Sequence, residues 1–204
     1  MREGFYKMKK IALLAALALF MTVVYYIGIY RDIERSVIRL HVISNSNSEE
    51  DTKIKLMVRD AILDDVRGRL TRDSGREDVI GAMPEMEQSA NDFLEKIGAD
   101  YRAHIKFEHA DIPRKEYNGI VLPKGNYEAI RVVLGEGGGE NWWCVAYPPL
   151  CFTEQTVGGV SPEGSRILQN SMSAESYRMI TSDVKYELKI VEAAEKLLRA
   201  VGRL

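Results

Sequence analysis

The stretch "YNGIVLPKGNYEAIRVVLGEGGGENWWCVAYPPLCF", Tyr117 to Phe152, decides the fold. Tyr127 to Leu134 and Trp142 to Tyr147 are rich in β-branched and aromatic residues, and a run of glycines separates them. They read as two strands joined by a flexible hairpin loop. Pro123-Lys124-Gly125-Asn126 ahead of them is a β-turn signal. The same stretch holds the chain's only two cysteines and only two tryptophans. Whether the protein has chemistry of its own therefore also turns on these residues.

Upstream, "SVIRLHVIS" (Ser36 to Ser44) alternates partly and reads as another strand, broken by "NSNS". Ser46 with Glu49, and Ser48 with Asp51, have the spacing of helix-capping pairs. The helix that follows sets Ile54, Met57, Val58, Ala61, Ile62 and Val66 on one face. A second helical region runs to about Ile97, with Pro84 starting a new helix because proline cannot donate from an interior position. "YRAHIKFEH" then alternates Tyr101, Ala103, Ile105 and Phe107 against Arg102, His104, Lys106 and Glu108, a half-buried strand. Downstream, 153–182 is polar without a sustained period and reads as a loop region with room for one short helix, and 183–204 as a C-terminal amphipathic helix. Strand, helices, strands and helix in this order predict an α+β fold: a mainly antiparallel sheet covered by helices.

The first thirty residues form a separate unit. Ile11 to Tyr30 contains no charged residue, and twenty helical residues reach about 30 Å, the thickness of a bilayer's hydrocarbon core. Small-x-small triplets such as Ala16-Leu17-Ala18 lie inside the run and none follows it, which favours an uncleaved signal-anchor over a cleaved signal. Arg2, Lys7, Lys9 and Lys10 precede the run against Glu3 alone, whereas Arg31 and Arg35 beyond it are balanced by Asp32 and Glu34. The positive-inside rule then keeps the N-terminus in the cytoplasm and places 31–204 outside, with 31–152 as the extracytoplasmic domain. That exported part holds more acids than bases. Nucleic acid and anionic membranes are poor partners for it, and another protein is a better one.

Several chemistries can be weighed on the central stretch. A phosphate loop needs a lysine and a hydroxyl residue after its last glycine; "GEGGGEN" is followed by tryptophans and carries Glu136 and Glu140. Cys144 and Cys151 are too far apart for a common zinc knuckle, and His41, His104 and His109 sit in strand-like patterns, so no metal site is expected. A dithiol enzyme places its cysteines two residues apart at a helix start. Here one lies in a strand and the other beyond a Pro-Pro pair, so a structural disulfide fits better, contributing about 2–3 kcal/mol for so short a loop. No serine-histidine-aspartate set or nucleophile elbow appears, and neither cofactor nor small-molecule substrate is implied. Adjacent aromatics on a strand face opposite ways, so one of Trp142 and Trp143 should meet the core and the other point outward. An outward indole beside Pro148 and Pro149 has the composition of a protein-binding anchor.

"IRLHVISNSNSEEDTKIKLMVRDAI" and the Tyr117–Phe152 stretch, above all "LPKGNYEA", "LGEG" and "NWWCVAYPPLCF", resemble the two hallmark segments of the stage II sporulation protein R family. The resemblance implies a signalling protein rather than an enzyme. Such proteins are exported from the forespore into the space between the septal membranes. There they activate a membrane-bound aspartic protease that processes the precursor of sigma factor E. A membrane-tethered extracytoplasmic thiol oxidoreductase, or another enzyme, is the alternative. Asn45, Ser46, Trp142, Trp143, Pro148 and Pro149 are the candidate contact residues, with Cys144 and Cys151 as the candidate staple.

Overall fold

The computed structural model describes residues 2–67, 69–71, 73–117, 119–148, 150 and 162–182. Helix α1 runs Arg2–Ser36 and leads without a break into strand β1, Ile38–Ile43. Helices α2 (Glu49–Arg67), α3 (Arg76–Gly81) and α4 (Met83–Lys96) follow. Strands β2 (Ala103–Ile112), β3 (Lys115–Tyr117), β4 (Ile120–Leu122), β5 (Gly125–Leu134) and β6 (Asn141–Tyr147) come next, then α5 (Pro162–Asn170) and α6 (Ala174–Thr181). Pro84 does stand in the first turn of its helix, where its missing N–H costs nothing. The stretch 153–182, expected to be a polar loop with room for one short helix, carries two helices in its described part. Ser173 caps the second by accepting from the Ser176 amide at 3.2 Å. The amphipathic helix expected at 183–204 lies outside the described residues.

The main sheet has four strands in the order β2-β5-β1-β6, and β3 and β4 make a separate two-stranded ribbon. As expected, most pairings are antiparallel: β2 with β5, β1 with β6 and β3 with β4. The central β1–β5 pair is parallel. Strands β5 and β6, expected to form a hairpin, are not neighbours, because β1 lies between them. Their glycine link must step across two strand spacings, about 10 Å. It does so over the end of β1.

Helices cover both faces of this sheet. On one face Ile38, Leu40 and Val42 meet Ile54, Val58, Ile62 and Val66 of α2 and Met86, Ala90 and Leu94 of α4. Leu63 joins this buried face, while Met57, expected on it, is exposed. On the other face Tyr127, Ala129 and Val145 meet Ile29, Tyr30 and Ile33 of α1, Leu122 of β4, Leu168 of α5 and Met179 and Ile180 of α6. All six residues of β1 are consequently buried, as a strand covered on both sides must be. Strand β2 lies at the sheet edge, so Phe107 is exposed despite its apolar position. The start of that edge is closed by α4: Asn91 bonds the amide and carbonyl of Ala103, and Glu87 accepts from the Ile105 amide at 3.1 Å. Capping those groups with side chains removes part of the strand edge from pairing with another chain.

Candidate functional site

The glycine link and the segment after β1 are one clasp. The Gly138 amide donates to the Asn45 carbonyl at 2.9 Å and the Gly139 amide to the Ser44 carbonyl at 3.0 Å. In return the Ser44 amide donates to the Glu140 carbonyl at 3.3 Å. That carbonyl also accepts from the Ser44 hydroxyl and from Lys55 Nζ, at 3.1 and 2.9 Å. Gly135 has φ +54°, and Asn45 Oδ1 stands where a Cβ would go. At Gly139 the Ser46 carbonyl occupies that place. Gly135 is glycine because of its positive φ and the Asn45 side chain against it, and Gly139 because another backbone touches it.

Asn45 and Ser46 serve this clasp. Asn45 Oδ1 accepts from the Glu136 amide at 3.0 Å while its Nδ2 donates to Asp51 Oδ2 at 3.0 Å. Ser46 Oγ donates to the same oxygen at 2.5 Å, and Tyr101 OH to the other carboxylate oxygen at 2.7 Å. Ser48 caps α2 by accepting from the Asp51 amide at 3.0 Å. Of the two capping pairs, Ser48 with Asp51 therefore forms, whereas Ser46 turns to the carboxylate. Those donors, Ser46 foremost and then Tyr101, hold the Asp51 carboxyl below the usual carboxylate range. Burial, with Asp51 beside it, pushes the Tyr101 phenol up.

The clasp delivers the chain into β6, which pairs with β1 so that Val42 faces Trp142 and His41 faces Trp143. The two indoles do point to opposite faces: Trp142 packs on the α2/α4 core and Trp143 on the α1/α6 core. Because both faces are covered, neither ring simply projects into solvent, and both are half-buried. The Arg59 guanidinium sits 5.1 Å from the Trp142 ring centre. His41 stacks on Trp143, ring centres 3.6 Å apart at 19°. Its Nε2 lies 2.8 Å from Asn141 Oδ1. Burial, reinforced by Arg131 and Arg39, lowers the His41 pKa to about 4.

Beside His41 on the same face is Arg39, wholly buried. Its Nε donates to the Cys144 carbonyl at 3.1 Å and its Nη2 to Tyr117 OH at 2.6 Å. The guanidinium also lies 5.2 Å from the Tyr127 ring centre. Nη1 has no hydrogen-bond partner among the described residues. Alternation in "IRLHVI" put Arg39 and His41 on one face, which ordinarily means solvent. Nothing local signals that a membrane-type helix folds back over it.

The candidate residues are thus divided. Asn45 and Ser46 stand near the Trp142 end of β6, and Pro148 follows its other end through a cis Tyr147–Pro148 bond, about 20 Å away along a seven-residue strand. Pro149 and Cys151 lie outside the described residues. Among the described residues no group of three or more histidines, cysteines and acids could hold a metal.

These features define a class: an α/β domain carried on an N-terminal helix long and apolar enough to cross a membrane, with paired indoles at one sheet edge. A family described as stage II sporulation protein R matches residues 34–157, and the chain belongs to that family. It is 37% identical over 125 residues to the stage II sporulation protein R of Bacillus subtilis (strain 168), a match covering 59% of this chain and 56% of that protein. The chain thus matches little more than half the length of this relative. No solved structure matches.

Proposed function

We propose that this chain is a sporulation signal, exported into the space between forespore and mother cell and held there by α1 with its N-terminus in the cytoplasm. It activates, by binding, the membrane-bound aspartic protease that processes the sigma factor E precursor. It performs no catalysis of its own. Family membership supports the setting. The observation that carries the binding role is the pair of indoles on the edge strand, each held in place by a cation or a stacked ring. Rigid, half-buried aromatics lose little entropy on docking and commonly dominate protein interfaces. The contact surface is the β6 edge that carries Trp142 and Trp143, with Pro149 proposed as a further contact. Pro148 is buried at the other end of that strand, and Asn45 and Ser46 hold the clasp that aims the indoles.

Trp142→Ala and Trp143→Ala test this in sporulating cells, with precursor processing read beside export and melting temperature. At least one exported, folded variant should lose processing by roughly tenfold or more, the scale of an interface hot spot. Normal processing in both sinks the surface. The proposed Cys144–Cys151 staple is supported by the lack of a free cysteine among the described residues. Changing both to serine should lower the melting temperature yet leave signalling intact where the protein folds. Loss of signalling from a folded double variant would favour the thiol oxidoreductase instead.

A further inference from the structure

Helix α1 belongs to two environments. Its side chains are exposed from Tyr6 through Thr22, with Leu13 at 70% and Phe20 at 62%. Burial begins at Val23 and Tyr26, and Ile29, Tyr30, Ile33 and Val37 belong to the core. The polar residues of its last turns are also built in. Glu34 Oε1 accepts from the Asn126 amide at 2.8 Å and stands where a Cβ on Gly125 would go. Asp32 Oδ2 accepts from the Ser173 amide at 3.0 Å and from Ser176 Oγ at 2.5 Å. Residues 26–36 are therefore part of the domain and not a linker.

The same bonds give the direction of α6. Ser173 meets Asp32, and Ser176, three residues on, approaches the Ile29 carbonyl at 3.4 Å. Helix α6 thus runs antiparallel to α1, back toward the exposed apolar segment, carrying Tyr177 and the exposed Arg178 that way. From Ile11 to Tyr25 the helix rises only about 22 Å, short of the roughly 30 Å hydrocarbon core. The remaining length is available on the N-terminal side, where the helix is exposed back to Tyr6 and the long chains of Lys7, Lys9 and Lys10 can reach the headgroups. The span therefore ends near Tyr25, and Tyr26 to Tyr30 stay packed on the domain.

We propose that the domain sits directly on the bilayer through the corner where α1 meets α6, with the lipid interface as the partner of that corner. Tyr25, Tyr26 and Tyr177 occupy the headgroup layer, where aromatic side chains collect. Exposed Arg31 and Arg178 face the lipid phosphates. The result is a fixed height and orientation of the sheet over the membrane. The inference rests on α1 spanning a bilayer, part of the function proposed above, and not on the identity of the protein partner.

The test uses the full chain in phosphatidylcholine–phosphatidylglycerol vesicles whose acyl chains are brominated near the headgroup. Tyr177→Trp places an indole at the proposed contact. Phe107→Trp places one on exposed β2, on the sheet face opposite α1. Relative to the parent protein, the indole at 177 should add a component quenched roughly twofold or more above that added at 107, as expected for a ring at the interface. A flexible insertion of about 12 residues between Tyr25 and Tyr26 should lift the domain and abolish the difference. Equal quenching at the two positions, with the chain still resistant to alkaline extraction, overturns the seating alone. Release of the chain by alkaline extraction overturns both the seating and the anchor reading.

Discussion

The two faces of the sheet are built on different principles. Toward α2 and α4, β1 presents Ile38, Leu40 and Val42 to aliphatic side chains, and elements close in sequence cover it. Toward α1 and α6, the same strand presents Arg39 and His41, which tyrosines and a tryptophan enclose. The first face is an ordinary apolar core, whose stability follows the area removed from water. The second joins the apolar helix to the edge strand that carries the indoles. Its buried polar groups cost desolvation, and stacking and hydrogen bonds offset that cost only in part, since Arg39 Nη1 lacks a partner among the described residues. Polar groups of this kind tolerate fewer alternative packings than aliphatic ones. The difference teaches that the α1 face fixes geometry while the α2/α4 face supplies adhesion.

The largest test of that division sets Ile33→Asp against Leu40→Ala. Ile33 is fully buried and belongs to the core formed with α6, not to a membrane-spanning surface. A carboxylate there has no partner, and its burial should cost more than about 4 kcal/mol, enough to prevent folding of the domain. Leu40→Ala should cost about 2–5 kcal/mol and leave a folded, weakened protein. Urea unfolding of the detergent-solubilised full chain measures both. If Ile33→Asp unfolds like the parent, the end of α1 is a tether and the two-face comparison collapses.

Arg39 gives the next largest effect. Arg39→Ala removes two hydrogen bonds and leaves a cavity between Tyr117 and Tyr127, an expected loss of about 3–4 kcal/mol. Arg39→Met keeps most of the volume and removes the incompletely paired charge, so it should cost only about 1–2 kcal/mol. Equal losses from the two would mean that the charge itself holds this face together.

Much of the fold was legible in the chain. The α2 stripe, the Pro84 helix start and the strand at β5 follow from local periodicity and backbone chemistry, and each appears. The β5–β6 hairpin failed for a physical reason: glycines show that a chain can turn, not which strand it turns beside. The strand between them lies about 90 residues upstream, as the Ile38–Glu128 register shows. The glycine composition suggested flexibility, yet the amides of Glu136, Gly137, Gly138 and Gly139 all donate hydrogen bonds. Hydropathy ran on to Tyr30 because lipid and protein core select the same side chains. The packing of Ile29, Tyr30 and Ile33 and the bonds made by Asp32 and Glu34 place the boundary between them. At the candidate site the indoles were visible, but Arg59 and His41, which hold them, come from an amphipathic helix and a strand of ordinary appearance.

The smallest expected effect is the sharpest probe of the second face, because it is read as a slope rather than a loss. His41 stays neutral in the folded protein down to about pH 4, whereas an unfolded histidine takes its proton near 6.5. Burial is the main cause; the Asn141 hydrogen bond opposes it, Arg131 and Arg39 add to it, and Glu108 opposes it least. Between those two pH values the unfolded chain binds more protons, so stability must fall as pH falls. The contribution is fully present above about 6.5 and is lost progressively toward 4. From pH 7 to pH 5 it amounts to about 2 kcal/mol. His41→Phe retains a ring against Trp143 and has nothing to titrate, so its unfolding free energy should change less over that interval by about this amount. The α2/α4 face offers a control, since Leu40→Ala should shift the whole curve downward without altering its slope there. If His41→Phe instead keeps the parent's slope, the acid sensitivity belongs elsewhere, and the stacked imidazole is not the buried neutral group that distinguishes this face.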